Sequence, residues 1–191
     1  SLTFDTRGYT QPAFSPDVRT LLAVSAANEP GQVYSVSRLL ALCWPESSAP
    51  RVLTAGFDRS VARFATPEGS DRIFFTCEHA GFEQLHSIAR DGGEVRSEAS
   101  PATGVIGGLV AGGRALVGTW ESAVNPPEVY SFQGAPKALT TFNQARAAQI
   151  DWLSLEHFEF KANDGRTLHN MIVKPPGFDP AKKYPLLLVI H

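Results

Sequence analysis

The sequence predicts a mainly β chain, about three four-stranded blades of a partial β-propeller with strands of a different style after them. Two observations carry that reading. A unit of turn, apolar strand and second strand recurs three times, and the recurrences are spaced 53 and 42 residues apart, from Arg19 to Arg72 and from Arg72 to Arg114. Spacings of this size suit a propeller blade, and a repeat is the first thing to look for in a chain with 16 Gly and 14 Pro.

In chain order, the first strand of each unit is Arg19–Val24, Arg72–Thr76 and Arg114–Thr119. Turn residues precede each one: Ser15-Pro16-Asp17, Pro67-Glu68-Gly69-Ser70-Asp71 and Gly112-Gly113. The second strands are expected at Gln32–Val36, Gln84–Ile88 and Glu128–Phe132, where apolar and polar residues alternate as on a half-buried sheet. Short closing elements follow at Arg51–Thr54, Glu94–Arg96 and Lys137–Thr140. Apolar segments such as Val61–Phe64 and Val105–Leu109 supply innermost strands. A β-sandwich with evenly spaced strands is the alternative; it explains the strands but not their repeated order. Three blades fall short of the four to eight of a typical ring, so further blades are expected on the N-terminal side.

Near residue 143 the pattern changes. Phe142–Gln149 reads as a polar connector, a turn or a short helix. Leu155–Lys161 and Thr167–Val173 alternate around Asn163-Asp164-Gly165, which makes a hairpin. The rigid loop Lys174–Pro180 ends the pairing, and Leu186–Ile190 is apolar on both faces, as befits a strand buried inside a helix-covered sheet. Such a strand needs neighbours, which are expected after His191.

Composition narrows the function classes. The 17 basic and 19 acidic residues are interspersed, with a net charge of −2, so no basic footprint for nucleic acid or an anionic membrane is present. No apolar run approaches a membrane span. The chain begins with Ser1, which leaves the compartment open: cytoplasmic or, with a leader removed, periplasmic or secreted. Cys43 and Cys77 are expected as buried free thiols, with a disulfide or a reactive thiol as alternatives. His79, His86, His157, His169 and His191 match no metal-ligand spacing, so surface or satisfied histidines are expected and no metal site.

From Leu139-Thr140 and Phe142-Asn143 the chain runs through Glu156-x-Phe158-x-Phe160, Asp164-Gly165-Arg166 and Val173-Lys174-Pro175-Pro176-Gly177-Phe178 to Lys183-Tyr184-Pro185 and Leu186–His191. This resembles the propeller-to-hydrolase junction of the prolyl oligopeptidase family of serine peptidases, and is most similar to its acylaminoacyl-peptidase and dipeptidyl-peptidase branches. The resemblance implies a partial propeller over residues 1–142 and the connector and first strands of an α/β-hydrolase domain over 143–191. It implies an enzyme that hydrolyses short peptides, needs no cofactor, and uses its propeller to gate access.

It also implies that the catalytic Ser, Asp and His lie after residue 191, because acyl transfer on this fold needs a GxSxG elbow and none occurs here. Ser60 and Ser122 lack the glycine frame. His191 is the nearest candidate site residue, approaching the turn whose backbone forms the oxyanion hole. Implied partners are a peptide substrate and the remainder of the same polypeptide, with a homo-oligomer as a further possibility. Glu78, Glu83, Glu121 and Arg114 are candidates for holding a peptide terminus, with solvated strand-end charges as the alternative; Trp120 and Trp152 are read as packing residues. The runner-up reading is a non-catalytic propeller module that binds a protein partner.

Overall fold

Alternating side chains along a strand point to opposite faces, and in the middle repeat both faces are apolar. Ile73, Phe75 and Cys77 take one face of their strand and Phe74 the other; Ile88 and Leu85 divide their strand in the same way. A sheet of this kind is stable only between two others. The computed structural model shows that arrangement; it describes residues 5–190 except 29, 32–33 and 47–48.

Three four-stranded antiparallel sheets follow one another, each with its strands in sequence order. The first holds β1 (Gly8–Phe14), β2 (Thr20–Ala26), β3 (Arg38–Cys43) and β4 (Arg51–Val52). The second holds β5 (Val61–Ala65), β6 (Arg72–His79), β7 (Phe82–Ala89) and β8 (Arg96–Ser97). The third holds β9 (Val105–Gly112), β10 (Ala115–Ser122), β11 (Asn125–Ser131) and β12 (Lys137–Ala138). One helical turn, α1 (Gln144–Ala147), leads to a separate two-stranded sheet of β13 (Leu155–Lys161) and β14 (Thr167–Val173). Three successive meanders are propeller blades and not the two facing sheets of a sandwich.

One core cluster joins the first two blades through Leu22, Leu39, Phe57, Val61, Phe75 and Ile88. A second joins blades two and three through Ala65, Leu85, Ile106, Leu109, Leu116 and Phe132. Main-chain bonds stitch the blades as well: Val61 N to Ser37 O at 3.0 Å, Glu68 N to Gly113 O at 2.8 Å and Glu83 N to Gly104 O at 3.0 Å.

Four local expectations are corrected. The second strand of the first blade is Arg38–Cys43, not residues 32–36; residues 32–33 lie outside the described set and 34–37 are irregular. Leu39–Leu42 is fully buried and pairs with β2 in register, so a both-faces-apolar run outcompetes the alternating one. In the second blade the closing strand is Arg96–Ser97, a shift of a residue or two along the chain. Cys43 sits exposed at the end of β3, whereas Cys77 is buried, and both are free thiols. Leu186–Ile190 is not a strand and its residues are 71–87% exposed, because no described strand lies alongside to complete its ladder.

The blades have two rims. The turns β1–β2, β5–β6 and β9–β10 lie on one, here the far rim; the turns β6–β7 and β10–β11 lie on the other, the near rim. Hairpin β13–β14 packs on the near rim. The His157 ring lies 4.3 Å from that of Phe82, His169 lies 6.4 Å from His79, and the Met171 side chain covers Gly81.

Candidate functional site

The near rim of the second and third blades is the most functionally suggestive surface, because candidate charges converge there. The β6–β7 turn is Ala80-Gly81, both at positive φ (52° and 82°), the geometry of a two-residue hairpin turn that matches strand twist. It sets Glu78 and Glu83 directly opposite one another. Like charges in that position repel. Burial lifts the Glu83 carboxyl above the ordinary range and Glu78 adds to the effect, while the Thr76 hydroxyl, which donates to Glu83, and the Arg63 guanidinium pull the other way.

Glu121 reaches the same rim from β10. Gly104, at φ 90°, lets the chain pass: a Cβ there would lie 2.2 Å from the Glu121 carbonyl oxygen and 2.7 Å from Trp120 Nε1. The same glycine's carbonyl accepts from Glu83 N, so Glu83 and Glu121 approach one point from two blades. Trp120 is a packing residue: its indole donates to Thr103 O at 2.9 Å and its ring meets Tyr130 edge-on at 5.3 Å. Trp152 likewise donates to Ala147 O at 2.9 Å.

Arg114 belongs to the β9–β10 turn and so to the far rim, apart from the three carboxylates. Ser60 and Ser122 are engaged locally, the first accepting from Ser37 N at 3.1 Å and the second from Asn125 Nδ2 at 2.9 Å. His191 lies outside the described residues. No cluster of three metal-binding side chains occurs among the described residues.

Two features escaped sequence reading. Glu128 accepts from Asn143 N at 2.5 Å and from Thr140, which together hold its carboxyl below the ordinary range and pin the exit from the third blade. The Thr140 and Asn143 pairing was visible as polar residues ending the repeat, but not as a lock. The second feature is buried His86, 4% exposed, with Nδ1 3.5 Å from Cys77 Sγ. Desolvation lowers the imidazole's basicity and pushes the Cys77 thiol up to about 11. A protonated thiol beside a neutral imidazole is not an activated nucleophile.

Among the described residues the near rim therefore offers the carboxylates of Glu78, Glu83 and Glu121, suited to a cation, beside the His79–Phe82 turn on which the hairpin packs. The chain is 25% identical over 94% of its length to dipeptidyl-peptidase 5 of Aspergillus oryzae and to the probable dipeptidyl-peptidase 5 of Aspergillus flavus. Its homologues are peptidases of the prolyl oligopeptidase family. The chain spans a quarter (25%) of the length of these relatives. An acylaminoacyl peptidase solved with Z-Gly-Gly-Phe-chloromethyl ketone matches with a TM-score of 0.72 and 22% identity, over 96% of this chain and 27% of that one. The β-propeller domain of the trilobed protease from Pyrococcus furiosus matches with a TM-score of 0.52 and 20% identity, over 66% of this chain and 36% of that domain. These structural likenesses show the fold. No protein-family model matches the chain.

Proposed function

We propose that the chain is part of a serine peptidase that hydrolyses short peptides, with residues 1–142 forming propeller blades and residues 143–191 opening an α/β-hydrolase domain. The observation that supports this most is continuity: blades, connector and hairpin lie in one chain, and a peptidase structure aligns over 96% of it. In this reading the nucleophilic Ser, its Asp and its His lie in the remaining polypeptide, and His191 leads into the oxyanion turn. No cofactor takes part.

The near rim is the side on which the propeller meets the catalytic domain, since hairpin β13–β14 rests there. A peptide admitted between the two passes Glu78, Glu83 and Glu121. Their negative field attracts an α-ammonium, and half-buried Glu83 binds it more strongly than an exposed carboxylate does, since pairing strengthens out of water. The blades restrict entry, so only short peptides reach the nucleophile.

The test is covalent labelling of the full-length protein with a fluorophosphonate, followed by peptide mapping. The expected result is one labelled serine C-terminal to His191, with residues 1–191 unlabelled. Absence of any labelled serine would overturn the proposal in favour of a non-catalytic propeller.

A further inference from the structure

The contacts that seat hairpin β13–β14 on the second blade are made largely by imidazoles. His79 and Phe82 stand opposite one another at the mouth of the β6–β7 turn, and His169 and Met171 lie two residues apart on one face of β14. His157 meets Phe82, Met171 covers Gly81, and His169 faces His79 with ring centres 6.4 Å apart and planes at 54°. The fold thus brings together two histidines that lie far apart in the chain, one from each unit.

The tautomer of one ring is set by its partner. Glu159 stands opposite His169 in the hairpin, and its Oε1 lies 3.0 Å from His169 Nδ1. A carboxylate accepts, so in the neutral ring Nδ1 carries the proton and Nε2 keeps its lone pair. This pairing is the one that orients a metal-binding histidine. His79 makes no hydrogen bond among the described residues, so its ring is uncommitted. An ion held by two imidazole nitrogens at about 2.0–2.1 Å sets their ring centres about 5 Å apart at a tetrahedral angle and about 6 Å apart at a straight one. The observed pair stands at the open end of that range, and both side chains are exposed, so a small rotation closes it. Glu78, next to His79 on β6, adds negative charge nearby, while Lys161 on the hairpin is turned to Thr167 Oγ1 at 3.3 Å.

We propose that His79 and His169 together bind a late first-row divalent ion, of the zinc and copper class, between the second blade and the hairpin, with water completing its shell and Glu159 as a positioning residue. Imidazole nitrogen suits these ions and not magnesium or calcium. Two side-chain donors make a weak site, one that ties the hairpin to the blade when filled. The site does not rest on the peptidase reading.

The experiment is calorimetric titration of Zn²⁺ into the full-length protein, with Mg²⁺ as the control. Zinc is expected to bind with a Kd of about 1–100 µM, as two ligands of a four-ligand site allow, and Mg²⁺ not to bind at about 10 mM. His79→Ala and His169→Ala are each expected to weaken zinc by about tenfold or more, and Glu159→Ala by about tenfold, with Glu159→Gln, which still accepts from Nδ1, restoring most of the affinity. His157→Phe, which keeps a ring on Phe82 but no nitrogen, is expected to leave it unchanged. No saturable zinc binding, an affinity indifferent to His79→Ala and His169→Ala, an equal loss in His157→Phe, or equal binding of Mg²⁺ would overturn the proposal. Unchanged melting temperatures of the metal-free variants distinguish a lost site from a lost fold.

Discussion

The second blade and the β13–β14 hairpin are both antiparallel strands, yet they are built for different surroundings. In β6 and β7 the buried positions take both faces, and Phe75, Cys77, Leu85 and Ile88 are fully enclosed by neighbours in the same chain. In the hairpin Phe158, Phe160, Leu168, Met171 and Val173 stay 40–50% exposed, although their alternation is as regular. Regular pairing alone does not close a core. The blade carries its own packing partners, whereas only the face bearing His157, His169 and Met171 finds one, on the near rim. The opposite face, with Phe158, Phe160 and Leu168, has the composition of a buried surface.

The largest effect that sharpens this contrast is Phe75→Ala. Removing an enclosed ring costs about 3–5 kcal/mol, so urea unfolding should show a large loss of stability. Gly104→Ala comes next. The added Cβ collides with backbone and φ is unfavourable, which should cost about 2–3 kcal/mol by thermal melting and should also disturb the bond from Glu83 N. Phe160→Ala divides the two surroundings: it should cost less than about 1 kcal/mol in residues 1–191 alone and more in the full-length protein, as read by paired denaturation curves. A large cost in the short chain would break the contrast.

The smallest effects are electrostatic. The Glu128 carboxyl is held below its ordinary range, so its contribution is present above the unfolded carboxylate pKa and is lost as pH falls through the lower folded value. Glu128→Gln should remove that part of the acid sensitivity, measured as melting temperature between pH 6 and pH 3. The Glu83 carboxyl is raised, so its contribution runs the other way, present in acid and lost as pH rises through the folded value. Glu83→Gln should therefore raise stability slightly at neutral pH and not in acid. In the proposed peptidase the same change should raise KM for a free-amine dipeptidyl substrate and leave an N-acylated one unchanged.

Much of the fold was legible because the repeat was written three times. The turn before β6, the pairing partner β7 and the Asn163-Asp164-Gly165 turn, with Gly165 at φ 83°, lie where the turn chemistry put them. The first blade was the harder one. β1 carries Gln11 at φ 53° and a register break between Thr10 and Ala13, so its side chains do not keep a period of two. The long connection after β2 displaced β3 along the chain. β11 contains Pro126 and Pro127, which a strand tolerates here because β12 pairs only with Tyr130 and Ser131.

The site was less legible. Glu78, Glu83, Glu121 and Arg114 are equally plausible as charges at strand ends. Only the register shows that three share one rim and the fourth does not. The pairing of Cys77 with His86 joins neighbouring strands, but the meeting of His79 with His169 requires a blade and the hairpin, and no single segment encodes it.

The central claim is that self-contained propeller blades carry the opening strands of a second folded unit. Hydrogen exchange of residues 1–191 alone against the same residues in the full-length protein tests it most directly. Amides of β6 and β7 should be protected alike in both, while those of β13, β14 and Leu186–Ile190 should gain protection of about a hundredfold or more in the full-length protein. Equal protection of the hairpin and the terminal run in the two forms would contradict the claim.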